Sequence, residues 1–301
     1  MQPHAPPLFT GCATALITPF KSGALDKTAF IRLLHRQIEG GADALVIAGT
    51  TGESPTLTDE EKKWLFTTAV QEAANAHRKI PVLAGTGSNN TRRAVELSRM
   101  AEDCGCDGLL VVTPYYNKAS EDGLIAHYEA VTAATSLPVI AYHVPSRTGC
   151  KMPLTACRRL AAIPRIVGLK DATGDLSFTT RTAALCGDSL PLYAGNDDQT
   201  LPILSLGGLG VISVVSNLFP EAVSDLCRLW REGKTAEAQA LHLSLIPLCD
   251  ALFSEVNPIP VKAAMEMLGF CSAEVRLPLT AADEGVRAKV ANALQRLGLL
   301  H

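Results

Sequence analysis

The chain carries no block of like charge, no long apolar stretch and no paired-cysteine motif, and each absence removes a class of function. Its 27 Lys+Arg stand against 30 Asp+Glu for a net charge of −3, so it lacks the basic footprint of a nucleic-acid or membrane-surface binder. No apolar run approaches the ~18 residues that span a bilayer. The start, Met1–Pro7, has neither a cationic n-region nor an apolar h-region, so no secretory leader is expected. Nine cysteines are scattered, and the close pair Cys104-Gly105-Cys106 has neither zinc nor thioredoxin spacing. They read as reduced, mostly buried thiols of a cytoplasmic protein. Two nucleotide loops are also incomplete. Gly85-Thr86-Gly87-Ser88-Asn89-Asn90 lacks the third glycine of a dinucleotide fingerprint, and Gly233-Lys234-Thr235 has Arg228 where a P-loop needs its first glycine.

What is present is a large apolar content with a regular beat. The 301 residues are 47% hydrophobic and 19% charged, enough to bury a sizeable core as one or two domains. Strand-like runs recur at Cys12–Ile17, Ala44–Ala48, Pro81–Ala84, Leu109–Val112, Pro138–Ala141, Ile166–Leu169, Leu192–Ala194 and Val211–Val215. Between them lie helical periodicities such as Lys27–Glu39, Asp59–Ala76, Arg92–Glu102 and Gly123–Ala134. Thr58 and Glu61 have the spacing of a capping box. The segments Gly41–Ile47 and Gly105–Val111 echo each other as glycine-ended helices turning into strands. Eight strands alternating with helices predict a closed (β/α)8 TIM barrel, although a doubly wound sheet shares the periodicity. The strand signal stops near Gly233. Residues 1–232 therefore read as the catalytic barrel and 233–301 as a small three-helix C-terminal domain, with helices expected over Thr235–Phe253, after Asn257-Pro258, and over Ala281–Leu297. Asn257 suits an N-cap and Pro258 the first helical position.

Candidate chemistry gathers at the strand ends, where barrels keep their active sites. Lys170 ends the run Arg165–Lys170, a single amine at the end of an apolar strand. Such a lysine can form a Schiff base with a carbonyl if its surroundings keep the amine neutral. Lowering it from ~10.4 to ~7–8 takes about 4 kcal/mol of differential stabilisation, which burial can supply. The alternative is a solvated or salt-bridged lysine. Gly49-Thr50-Thr51-Gly52-Glu53-Ser54 could hold a small carboxylate on its hydroxyls and turn amides, or be an ordinary turn. Tyr115-Tyr116 fits a packing or interface pair. Tyr142 could relay protons or be a core tyrosine, and Arg147 could grip a carboxylate or make a surface ion pair. His143 points away from Tyr142 in a strand and reads as structural. Gly195-Asn196-Asp197-Asp198 lets backbone approach a ligand.

With Thr113-Pro114-Tyr115-Tyr116-Asn117, Tyr142 through Gly149, Gly168–Gly174 and Asn257–Lys262, these motifs occur in an order that resembles the dihydrodipicolinate synthase/N-acetylneuraminate lyase family of class I aldolases, from about Phe9 to Leu300. Arg147 favours the synthase branch over the lyases, which usually lack it. The resemblance implies that Lys170 forms a Schiff base with pyruvate and that Thr50 and Thr51 hold the pyruvate carboxylate. It implies that Tyr142 shuttles protons through Thr51 and through Tyr116 from a neighbouring subunit. Arg147 would bind the carboxylate of L-aspartate 4-semialdehyde, and the Gly195 and Ile212 backbones would shape the pocket. The reaction would serve diaminopimelate and lysine synthesis, with no metal or organic cofactor, in a homotetramer made as a dimer of tight dimers. The alternative on the same scaffold is a sugar-acid or N-acetylneuraminate lyase. His143 and Asp171 depart from the family's usual asparagine and glutamate. A lysine effector, which sensitive relatives bind around the positions of Ser54, Asp59, Lys62, Asn89, Arg93 and Tyr115, is expected to inhibit weakly or not at all, because Lys62 and Arg93 bring positive charge there.

Overall fold

A computed structural model describes residues 7–300; Met1–Pro6, most of the segment read for a leader, lie outside the described residues. Eight parallel strands close into a barrel: β1 Gly11–Ala15, β2 Ala44–Ile47, β3 Val82–Gly85, β4 Gly108–Val112, β5 Val139–His143, β6 Ile166–Asp171, β7 Leu192–Ala194 and β8 Gly210–Ser213. Each pairs with the next, and β8 returns to β1 with Ala13 opposite Ile212. Closure excludes the doubly wound alternative. All eight expected strands form, within a residue or two of their expected ends.

The helices follow the amphipathic periods. They are α1 Lys27–Glu39, α2 Asp59–Ala74, α3 Thr91–Asp103, α4 Glu121–Ala133, α5 Leu154–Leu160, α6 Leu176–Cys186, α7 Thr200–Ser205 and α8 Pro220–Arg231. The Thr58 hydroxyl accepts from the Glu61 amide while the Glu61 carboxylate accepts from the Thr58 amide, so the expected capping box forms. Two small elements escaped the sequence reading. One is the ribbon of Phe20–Lys21 with Ala24–Leu25, the other a single helical turn at Pro145–Thr148; both are too short to show a period.

Two apolar layers result. One lies between strands and helices, and the other fills the barrel with alternate strand residues, among them Ala13, Val46, Leu83, Leu110, Ile140, Tyr142, Tyr193 and Ile212. After α8 the chain forms α9 Thr235–Leu252, α10 Ile259–Met267 and α11 Glu284–Arg296. These three helices occupy the stretches expected of them, but Asn257 does not cap α10. Pro258 is the residue preceding it, and the Asn257 side chain turns away to the barrel. No helix among the described residues is long and apolar enough to cross a membrane.

Candidate active site

Strand alternation decides which residues meet. Tyr142 lies directly across from Lys170 on β5 and β6, and Lys170 lies across from Tyr193 on β7, so all three point into the barrel. The next residues point outward. His143 is buried against Phe178 at 5.4 Å, accepts a hydrogen bond from the Met152 amide at Nε2, and is pushed down to about 4 by burial. That is the structural role expected of it. Asp171 also faces outward, accepting from the Thr173 amide at 2.9 Å and the Thr179 hydroxyl at 2.6 Å.

Lys170 is only 5% exposed, and its Nζ stands 4.3 Å from the centre of the Tyr142 ring. Burial drives the amine from 10.5 to about 7, with the Arg147 charge pushing the same way and the Asp197 carboxylate opposing. Near neutral pH it is therefore neutral about half the time. Burial raises the Tyr142 phenol above its ordinary value, against the lowering effects of Arg147 and Thr50, so it stays protonated and can donate.

A cavity of about 140 Å³ opens over the amine, walled by Thr50, Thr51, Tyr142, Arg147, Gly195 and Asn257, among others. Thr51 is buried, Thr50 half-buried, and Arg147 sits on the exposed rim, donating to the Asn257 carbonyl at 3.2 Å. Gly195 has no room for a side chain: a Cβ would lie 2.6 Å from the Ala172 Cβ and 2.8 Å from the Asp171 carbonyl oxygen. Ile212 is buried in the barrel interior but is not part of this wall, to which the chain contributes Val214, just past the end of β8. Tyr116 is not brought to the cavity of its own chain. It stands 87% exposed on a residue with φ of 71°, its amide donating to the Thr148 carbonyl.

Three features were not read from the sequence. Asp197, noted only as part of a turn, is fully buried and accepts from the Ser213 hydroxyl and the Val214 and Val215 amides. It places a carboxylate near the amine. Asn257 donates from Nδ2 to the Thr51 hydroxyl at 2.9 Å, and its Oδ1 has no hydrogen-bond partner among the described residues. Glu53 adopts a left-handed backbone, with φ of 54°, and its buried carboxylate pairs with the fully buried Lys262 of α10. The Lys262 ammonium also donates to the Glu274 carbonyl, and the Arg276 amide donates to Glu53. The three-helix tail thereby holds the Thr50–Thr51 loop from behind. Neither local motif nor periodicity signals contacts made across 206 and 209 residues. The glycine pair that imitated a dinucleotide loop also has a packing cause: a Cβ on Gly85 would lie 2.2 Å from the Ala48 carbonyl oxygen, behind the same loop.

The fold and this site define a class: a (β/α)8 barrel with a desolvated lysine at the end of its sixth strand, equipped for imine chemistry on a small carbonyl acid. The chain belongs to the dihydrodipicolinate synthetase family, whose model matches residues 8–297. It is 46% identical over 293 residues to the 4-hydroxy-tetrahydrodipicolinate synthase of Magnetococcus marinus, covering 97% of this chain and 99% of that one. The dihydrodipicolinate synthase structure from Thermotoga maritima superposes with a TM-score of 0.94 at 41% identity, covering 97% of this chain and 100% of that one. A chloride-inhibited dihydrodipicolinate synthase of Acinetobacter baumannii in complex with pyruvate gives a TM-score of 0.93 at 39% identity, covering 97% and 99%.

Proposed function

We propose that this chain condenses pyruvate with L-aspartate 4-semialdehyde to form 4-hydroxy-tetrahydrodipicolinate. The observation that carries the reading is the Lys170 amine, buried beside Tyr142 and drawn down to about 7. The neutral amine attacks the pyruvate ketone, and the Tyr142 phenol supplies the proton with which the hydroxyl leaves as water. The resulting iminium draws electrons from the adjacent methyl, whose proton passes to the Tyr142 phenolate left by the first step, giving an enamine and restoring the phenol. The enamine carbon adds to the semialdehyde aldehyde, and the amine of the adduct then displaces Lys170 as the ring closes.

Thr50 and Thr51 are suited to hold the pyruvate carboxylate with hydroxyl and turn-amide donors, and Asn257 fixes the Thr51 hydroxyl. Arg147, at the rim, suits the carboxylate of the semialdehyde. Gly195 lets backbone approach the bound acid, and Ile212 backs the pocket from the barrel interior. Tyr116, exposed in its own chain, fits a role in a neighbour's site within a tetramer of tight dimers. The unpaired state of all nine cysteines fits a reducing cytoplasm. The division into a barrel over 1–232 and a helical domain over 233–301 is kept as a structural proposal, with the second part bracing the Thr50–Thr51 loop.

Borohydride reduction in the presence of pyruvate tests the reading. Mass spectrometry should find one added pyruvyl unit, mapped to Lys170, and a survey of aldehydes should then favour the semialdehyde. Trapping that persists undiminished in Lys170→Ala would refute the assignment.

A further inference from the structure

Asn257 stands between α9 and α10, and it forms part of the wall of the catalytic cavity. Its three polar groups have different fates. The main-chain carbonyl accepts from the Arg147 guanidinium at 3.2 Å. The Nδ2 donates to the Thr51 hydroxyl at 2.9 Å, which leaves the Thr51 proton free to turn to a ligand. The Oδ1 accepts from nothing among the described residues, although the residue is only 6% exposed. A buried carbonyl oxygen without a donor is costly, so one kept at a cavity wall is completed by a donor on what the cavity holds.

Pyruvate is not that donor, because its ketone and carboxylate only accept. The aldehyde is a better match. L-aspartate 4-semialdehyde carries its amine on the same carbon as its carboxylate, so once Arg147 takes the carboxylate the amine lies beside the guanidinium. Asn257 is the residue whose carbonyl that guanidinium already touches. Among the described residues no carboxylate lines this wall to compete for a cation. That absence suits the chemistry as well. Ring closure needs the amine neutral, and a carboxylate beside it would favour the ammonium, whereas an amide oxygen accepts from either form.

We infer that Asn257 recognises the α-amino group of the aldehyde, its Oδ1 accepting from that nitrogen while Arg147 holds the neighbouring carboxylate. The inference rests on the aldehyde proposed above and adds a specificity residue supplied by the C-terminal helices.

The test compares wild type, Asn257→Ala and Asn257→Asp at saturating pyruvate, with L-aspartate 4-semialdehyde as substrate. Succinic semialdehyde, which keeps the aldehyde and the carboxylate but lacks the amine, serves as competitor. Borohydride trapping of pyruvate on Lys170 reports whether each variant keeps a folded site. In Asn257→Ala, kcat/KM for the amino aldehyde should fall about ten- to a hundredfold, the loss expected for one charge-assisted hydrogen bond. The inhibition constant of succinic semialdehyde should stay near its wild-type value. Asn257→Asp retains an acceptor, so it should keep its preference for the amino aldehyde. Its kcat profile should move to higher pH, because the new carboxylate holds the amine protonated. Equal losses for both aldehydes in Asn257→Ala would overturn the inference, by making Asn257 a support for Arg147 or Thr51. An unchanged preference there would also overturn it, by leaving the Oδ1 to an ordered water. Should Asn257→Ala fail to trap pyruvate, Asn257→Asp decides, and an unmoved pH profile in it overturns the inference. Wild type that traps pyruvate yet does not consume the semialdehyde would overturn the functional reading itself, and this inference with it.

Discussion

Replacing Lys170 with methionine should abolish imine formation and at the same time stabilise the protein, with a pH dependence that identifies the cause. In the native state the amine titrates at about 7, whereas in the unfolded chain it returns to about 10.5. The folded value is the lower one. Between those limits the unfolded chain binds more protons, so native stability climbs with pH through the window and is lost again as pH falls toward 7. Each pH unit is worth about 1.4 kcal/mol, and the whole window about 5 kcal/mol. Below pH 7 the wild type carries that full cost of holding the lysine buried, and methionine, of similar volume, does not. Lys170→Met should therefore be more stable by about 3–5 kcal/mol at pH 6, with the gap roughly 3 kcal/mol smaller at pH 9. Urea unfolding at several pH values, at equal protein concentration and without pyruvate, measures it. The slope carries the test, because a packing change shifts only the offset. A gap of the same size at pH 6 and pH 9 would refute the idea that burial has displaced the titration of Lys170.

Arg147→Ala should lower kcat/KM for the semialdehyde about ten- to a hundredfold through a lost charge-assisted pair, while pyruvate trapping at Lys170 proceeds nearly as before; equal losses in both half-reactions would make Arg147 structural. Lys262→Met should destabilise the protein by about 3–5 kcal/mol, because Glu53 is left buried without its cation, and adding Glu53→Gln should recover part of it. Denaturant midpoints read this directly, and a loss below about 1 kcal/mol for Lys262→Met would contradict it. Free L-lysine should inhibit weakly: no carboxylate lines the cavity of Lys62 and Arg93 to receive its ammonium groups. A like-charge contact at ~4 Å costs about 4 kcal/mol at an effective dielectric of 20, a roughly thousandfold loss. Half-inhibition in the sub-millimolar range at saturating pyruvate would contradict that.

The sequence by itself determined the local elements. Alternation of short apolar runs with amphipathic stretches set eight strands and their helices, because side-chain periodicity is a property of neighbouring residues. It placed Lys170 and Tyr142 at strand ends and predicted the opposite facing of His143, since successive strand residues point to opposite faces. The Thr58–Glu61 cap was legible for the same local reason. Only the tertiary structure decided that the sheet closes, with β8 laid against β1. It alone decided that Lys170 loses its charge near neutral pH, because that depends on how much water and which charges surround the amine. Asn257 read as a cap because its type and the following proline suit one, yet it serves Thr51 across the chain. Glu53 read as part of a turn, yet it is buried on Lys262. Tyr116 and Lys62 are ordinary surface types in a sequence, and folding left one fully displayed and the other enclosed without an acceptor among the described residues. Burial and charge pairing join residues about two hundred positions apart, and no local pattern encodes which distant groups will share a cavity.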